Sequence, residues 1–150
     1  MKLRVVWIAA KSRSKDPAID SLTRDYIARI ARYQAIEASD LPSESALLKL
    51  LDRSSARTAP VLTLLDSRGK EMTSEQLATF INAKLSADVQ QLIFAIGPAN
   101  GFLDETRKAA GHILSLGKMT LPHELARVVL LEQIYRAFTI LRHHPYHVGH

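Results

Sequence analysis

At 150 residues, 47% apolar and 23% charged, the chain has the balance of a globular protein with one ordinary hydrophobic core, not that of a disordered or fibrous one. The absence of cysteine excludes disulfides, thiolate metal sites and cysteine nucleophiles, and no apolar run approaches the roughly 20 residues of a membrane span. The formal charge of +5 favours polyanionic partners, nucleic acid above all, although such an excess serves equally well for solubility. The apolar stretch at the start is too short for a secretory signal, so a cytoplasmic location is expected.

In chain order, Leu3 to Ala9 is an apolar, β-branched run without alternation, the pattern of a strand covered on both faces. A polar stretch with Lys11, Arg13 and Lys15 follows. Asp16-Pro17 then supplies a cap and a first-turn proline for a helix whose Ile19, Leu22, Tyr26, Ile27 and Ile30 fall at helical spacing. Tyr33 to Ala38 reads as a short strand, and Leu41-Pro42-Ser43 opens a helical segment carrying Leu47, Leu48, Leu50 and Leu51. Pro60 to Asp66 is a buried strand that the turn Ser67-Arg68-Gly69-Lys70 closes. Thr73 and Gln76 form a capping box for a helix with Leu77, Phe80 and Ile81.

Gln91 to Ile96 is the next strand, broken by Gly97-Pro98-Ala99-Asn100-Gly101 before a helix from about Asp104 to Gly111. Ile113 to Leu116 is a short strand, Gly117 to Pro122 a loop, and His123 to Leu141 a long helix. This alternation predicts an α/β fold, a mostly parallel sheet flanked by helices, in a single domain over residues 1–150. The last helix carries apolar residues on nearly every side, where a surface helix would show one stripe. A partner subunit would cover the second face; burial within the same chain is the competing explanation.

In parallel sheets, ligands bind beyond the carboxyl ends of the strands, which directs attention to the loops after Asp66, Ile96 and Leu116, all marked by glycine. The turn after the first strand has no glycine, so a nicotinamide or flavin fingerprint is missing. Gly97 and Gly101 suit either a close ligand approach or a tight turn. Four of the six histidines, His143, His144, His147 and His150, lie in the last eight residues with Tyr146. Pro145 breaks any helix there and no carboxylate intervenes, so metal is disfavoured against a polar tail that contacts RNA or a disordered end. Glu132 and Arg136 stand at i, i+4, an ordinary ion-pair spacing, with Arg127 five residues before Glu132 on the same greasy helix.

The run Leu116-Gly117-Lys118-Met119-Thr120-Leu121-Pro122-His123, followed by Leu125, Arg127, Glu132, Gln133, Tyr135, Arg136-Ala137 and a closing His144-Pro145-Tyr146-His147, closely resembles the SPOUT-class pseudouridine N3-methyltransferases of large-subunit ribosomal RNA. The resemblance covers essentially the whole chain. It implies a deep C-terminal trefoil knot, which periodicity alone does not show. It further implies S-adenosyl-L-methionine bound by Leu65, Gly97, Leu116, Gly117, Lys118, Met119, Thr120 and Leu121. His123, Arg127, Glu132, Tyr135 and Arg136 would organise the RNA site, with His144, Tyr146 and His147 supplied by the tail. The implied enzyme is a homodimer without metal, acting on 23S ribosomal RNA in the large subunit or the whole ribosome.

Two departures stand out. Relatives read Gly-Gly-x-x-Gly after the fourth strand where this chain has Pro98 as the second member, so any contact made by that backbone amide is lost. They also carry a basic residue after the His-Pro-Tyr-His motif, where this chain has Val148. Two rival readings stay open: a transfer-RNA methyltransferase of the same fold, and a ribosome-binding protein that has lost the cofactor.

Overall fold

The computed structural model describes residues 1–9, 16–52, 57–98 and 100–148. The polar stretch with Lys11, Arg13 and Lys15, together with Ala99 and His150, lies outside the described residues. The elements are β1 (Lys2–Ile8), α1 (Pro17–Ala31), β2 (Ile36–Leu41), α2 (Glu44–Lys49), β3 (Val61–Glu71), α3 (Ser74–Ser86), β4 (Gln91–Ile96), α4 (Asp104–Ala109), β5 (His112–Ser115) and α5 (His123–Leu141), then a 3₁₀ turn at Pro145–His147. All four strand pairings are parallel and the sheet runs β2-β1-β4-β3-β5.

Right-handed crossovers fix the layers. The steps β1 to β2 and β3 to β4 move the same way across the sheet and place α1 and α3 on one face; the opposite steps, β2 to β3 and β4 to β5, place α2 and α4 on the other. Side chains alternate accordingly. Leu3, Val5, Leu92, Phe94 and Ile96 join the core with α1, α3 and α5. Val6, Leu62, Leu64, Ile93 and Ala95 pack with Leu47 of α2 and Phe102. Each fully buried Leu, Ile or Phe contributes about 1.5–3 kcal/mol.

Local sequence explains the boundaries. The Asp16 carboxylate accepts the Ala18 N–H ahead of Pro17, and the predicted Thr73/Gln76 capping box is present in both directions. The second strand begins three residues later than expected. Tyr33 and Gln34 still donate to the Ile30 carbonyl as α1 unwinds, and the Tyr33 ring stacks on Phe138 at 6.0 Å, so the chain straightens only at Ile36.

The turn expected at Ser67–Lys70 is instead a bulge inside one long strand. Leu114 of β5 pairs first with Leu65 and then with Lys70, so residues 66–69 loop out between them. Gly69 permits this: a Cβ there would stand 2.7 Å from the Ile113 carbonyl oxygen. Helix α5 lies against both α1 and α3, which bury Leu130, Leu131, Ile134, Ala137 and Phe138. Much of its all-round apolarity is therefore absorbed within one chain, while Leu125 at its start stays 45% exposed.

Candidate active site

The carboxyl ends of β3, β4 and β5 open onto a cleft of about 330 Å³, within the range of roughly 300–1,000 Å³ usual for small-molecule sites. It is bordered by Leu65 to Arg68 on the bulge, by Ile96, Gly97 and Phe102 after β4, by Leu116, Gly117, Met119, Thr120 and Leu121 after β5, and by His123 and Ala126 from the start of α5. Of the expected cofactor residues, Leu65, Gly97, Leu116, Gly117, Met119, Thr120 and Leu121 come together here. Lys118 is exposed and does not line the cleft.

Each wall has a physical reason for its shape. Asp66, with its side chain 8% exposed, accepts the Arg68 N–H at 2.8 Å and an Arg107 guanidinium N–H at 2.5 Å, which tie the bulge to α4. Burial opposes ionisation of that carboxyl, but the hydrogen bonds from Arg68 and Arg107 outweigh it and hold its pKa below the ordinary value. The β4 loop closes as a turn in which the Gly101 N–H donates to the Pro98 carbonyl, so the proline keeps the turn although it has no amide of its own to offer. A Cβ on Gly97 would stand 2.8 Å from the buried Phe102 ring. Gly117 has φ +139 with nothing within 4 Å of an added Cβ, so its backbone conformation, not crowding, calls for glycine.

The eight residues expected to organise catalysis separate into four groups. His123 alone among them lines the cleft. Arg127 is 8% exposed, and its guanidinium carbon lies 3.6 Å from the centroid of Trp7, which is paired with Ile96 at the edge of the cleft. Burial lowers the pKa of Arg127, with Asp20, Glu124 and Asp40 acting in the opposite sense. Glu132, Tyr135, Arg136, Tyr146 and His147 gather at the far end of α5, about 13–20 Å along the axis from His123 at 1.5 Å per residue. His144 is exposed on the tail.

The tail reaches this cluster because the end of α5 turns it back. The His143 N–H donates to the Ile140 carbonyl and the His144 N–H to that of Thr139, with His143 at φ 55: a Schellman ending with histidine in the usual glycine position. Glu132 Oε1 then accepts from Arg136 Nε at 3.0 Å, Arg136 Nη2 at 2.6 Å and the Tyr146 hydroxyl at 3.1 Å. The Tyr146 ring packs edge-on against Tyr135 at 4.7 Å. Arg136 Nη1 lies 3.0 Å from His147 Nδ1, and His147 Nε2 lies 2.8 Å from Glu75 Oε1. Arginine can only donate, so His147 accepts at Nδ1 and its Nε2–H donates to Glu75. Burial, reinforced by the bond to Glu132, pushes the Tyr146 phenol up to about 12.

Sequence reasoning passed over Ser115, which is 4% exposed. Its hydroxyl donates to the Gly117 carbonyl at 2.9 Å and accepts the Gly117 N–H at 3.1 Å, closing the third loop on itself. A serine two residues before a loop glycine is the signal that marks it. Ser74 and Glu75 were likewise missed; they receive Gln133 and His147 from the other end of the chain. Among the described residues, no group of three or more His, Cys, Asp or Glu side chains is placed to hold a metal ion, and no helix is long and apolar enough to cross a membrane.

Comparison with known proteins places this geometry in context. A family model described as a predicted SPOUT methyltransferase matches residues 1–147. A protein of Koribacter versatilis named Ribosomal RNA large subunit methyltransferase H is 59% identical over 150 residues, covering 100% of both chains. A protein of the same name from Geobacter sulfurreducens is 38% identical, covering 98% of this chain and 99% of its own. The crystal structure of the SpoU methyltransferase AviRb from Streptomyces viridochromogenes, in complex with the cofactor AdoMet, shares the fold with a TM-score of 0.50 at 16% identity. That alignment covers 91% of this chain and 57% of AviRb. The full-length family match and the close relatives show that the chain belongs to the SPOUT methyltransferase family.

Proposed function

We propose that this chain methylates N3 of a pseudouridine in large-subunit ribosomal RNA, with S-adenosyl-L-methionine as donor, as a cytoplasmic homodimer of single-domain subunits with a deep C-terminal trefoil knot. The observation that carries the reading is the cleft, where three loops from separate strands leave about 330 Å³ open. The residues fit the donor. Leu65, Ile96, Leu116 and Leu121 offer apolar walls for a purine, while the backbone of the β4 and β5 loops and the Thr120 hydroxyl offer polar partners. Leu65, Gly97, Leu116, Gly117, Met119, Thr120 and Leu121 would hold it. When bound, the donor supplies an electrophilic methyl group on a sulfonium sulfur. The protein's part is to bind and orient the nucleobase and to accept its N3 proton. His123, at the cleft border, would take the proton, and Arg127, stacked on Trp7 beside the cleft, would help orient the RNA.

The knot is supported by the route of the chain. It leaves β5 at the sheet edge, borders the cleft with Leu116, Gly117, Met119, Thr120 and Leu121, and returns to lie between α1 and α3. The dimer is supported by the exposed apolar Leu22 on α1 and Leu121 and Leu125 at the start of α5. It is also supported by the distance within one chain between the cleft and the tail cluster, which a second copy closes if the tail of one subunit serves the cleft of the other. Ribosomal RNA as substrate follows the name carried by the relatives at 59% and 38% identity.

The test is nucleoside mass mapping. Ribosomes from a strain lacking this gene, incubated with the protein and isotopically labelled donor, should gain one labelled N3-methylpseudouridine in large-subunit RNA. Label in transfer RNA instead, or none in any RNA although the donor binds, would contradict the reading.

A further inference from the structure

Two residues back along β3 from Leu65, about 7 Å at strand rise, a second cavity of about 200 Å³ opens between β3, β5 and α3. Thr63, Lys70, Met72, Phe80, His112 and Leu114 line it. Thr63 is 1% exposed, and its Oγ1 has no hydrogen-bond partner in the protein. A buried hydroxyl is costly to leave so, and this one borders the cavity.

The charges around it have one sign. The His112 ring sits edge-on to Phe80 at 4.8 Å, and Lys84 Nζ lies 5.2 Å from the centroid of the same ring. Burial first, then Lys84 and Lys70, push the His112 imidazole below its ordinary pKa; no carboxylate acts on it. Among the described residues no carboxylate lines the cavity either. Apolar walls from Met72, Phe80 and Leu114 strengthen any polar contact made inside. With water occupying about 30 Å³ per molecule, the volume admits a compact oxyanion and several waters.

We propose that this cavity is an oxyanion site that takes a phosphate group, with the Thr63 hydroxyl, Lys70 and His112 as its donors and Lys84 adding positive charge from over the Phe80 ring. Only the source of the phosphate rests on the functional reading above. For an RNA substrate it is a backbone phosphodiester held beside the cleft, a contact that positions the strand without reading its sequence. Free inorganic phosphate is the other source.

The experiment follows the His112 ring protons by NMR, assigned with His112→Gln, as inorganic phosphate replaces chloride at constant ionic strength. The expected result is a saturable shift with a rise in the His112 pKa, about ten-fold weaker in Lys70→Gln/Lys84→Gln and also weaker in Thr63→Val, which keeps the side-chain shape. A linear drift shared with chloride, or undiminished binding in both variants, overturns the proposal. Because the lysines lie outside the core, the double variant stays informative even if Thr63→Val disturbs folding. A large-subunit RNA hairpin that produces the same shift, competed by phosphate, assigns the site to RNA backbone; a response to phosphate alone keeps the oxyanion site and assigns it to the free ion. Donor binding and methyl transfer are read elsewhere in the molecule, so their failure is distinguishable from failure here.

Discussion

Helix α5 ends in two different kinds of chemistry. At its start, backbone loops and apolar side chains border open space together with the titratable Asp66, Arg68 and His123. At its far end the chain folds back, and Glu132, Arg136, Tyr146, His147 and Glu75 satisfy one another. The first arrangement is made to admit a ligand; the second is made to hold a fixed geometry. In the proposed reaction the first would hold the donor and the second would frame the acceptor, and Glu132 and Arg136 stand about 13–20 Å along the axis of α5 from His123. This is why the dimer matters to the proposal and not only to stability.

The largest effect expected is at the closed end. Arg136→Gln removes both bonds to Glu132 and the bond to His147, leaving Tyr146 and His147 held only by Glu132 and Glu75, and misplacement of about 1 Å costs roughly 100-fold in rate. Single-turnover methylation should fall by about that factor while donor affinity stays unchanged; equal loss of both would remove the distinction between the two ends. A smaller effect, on binding this time, belongs to Gly97→Val. Its side chain must displace the Phe102 ring, and overpacking of about 1–3 kcal/mol predicts a donor affinity weaker by about 5- to 160-fold by calorimetry. Combining the two variants in a mixed dimer sharpens the comparison. One intact cleft then faces one intact tail across the interface, so activity returns if sites are shared and stays absent if each tail serves its own cleft.

Ser115→Ala should be milder, since one hydroxyl with two hydrogen bonds to Gly117 contributes about 1 kcal/mol. A donor affinity lower by roughly five-fold is expected, with the melting temperature nearly unchanged. The smallest effect is spectroscopic. The Tyr146 phenol is raised from 10.0 to about 12, so its contribution to tail docking is fully present below pH 10 and is lost as pH climbs through about 12. In an absorbance titration Tyr146 should ionise late, and a variant that loosens the tail and exposes its phenol should bring it back toward 10.0.

Much of this was legible in the residues. The buried strands, the Asp16-Pro17 start of α1, the Thr73/Gln76 box and the limits of α5 are local signals, and each appears where local chemistry puts it. The three glycine-marked loops also converge as expected. What could not be read was non-local. The bulge at residues 66–69 exists because β5 pairs twice with β3, a fact about a strand some 45 positions later. The docking of Tyr146 and His147 depends on His143 adopting a left-handed conformation that glycine usually supplies, which disguised the turn. Family resemblance names the helix and tail candidates without saying whether a tail serves its own cleft, and in one chain they lie toward the two ends of α5.

The most direct measurement is calorimetric titration of the intact protein with S-adenosyl-L-methionine, alongside Gly97→Val and Arg136→Gln. Saturable heat in the wild type, with an affinity weakened in Gly97→Val and kept in Arg136→Gln, is the result this account predicts. No heat at millimolar donor, or binding indifferent to Gly97, would place the donor elsewhere and leave the cleft without its function.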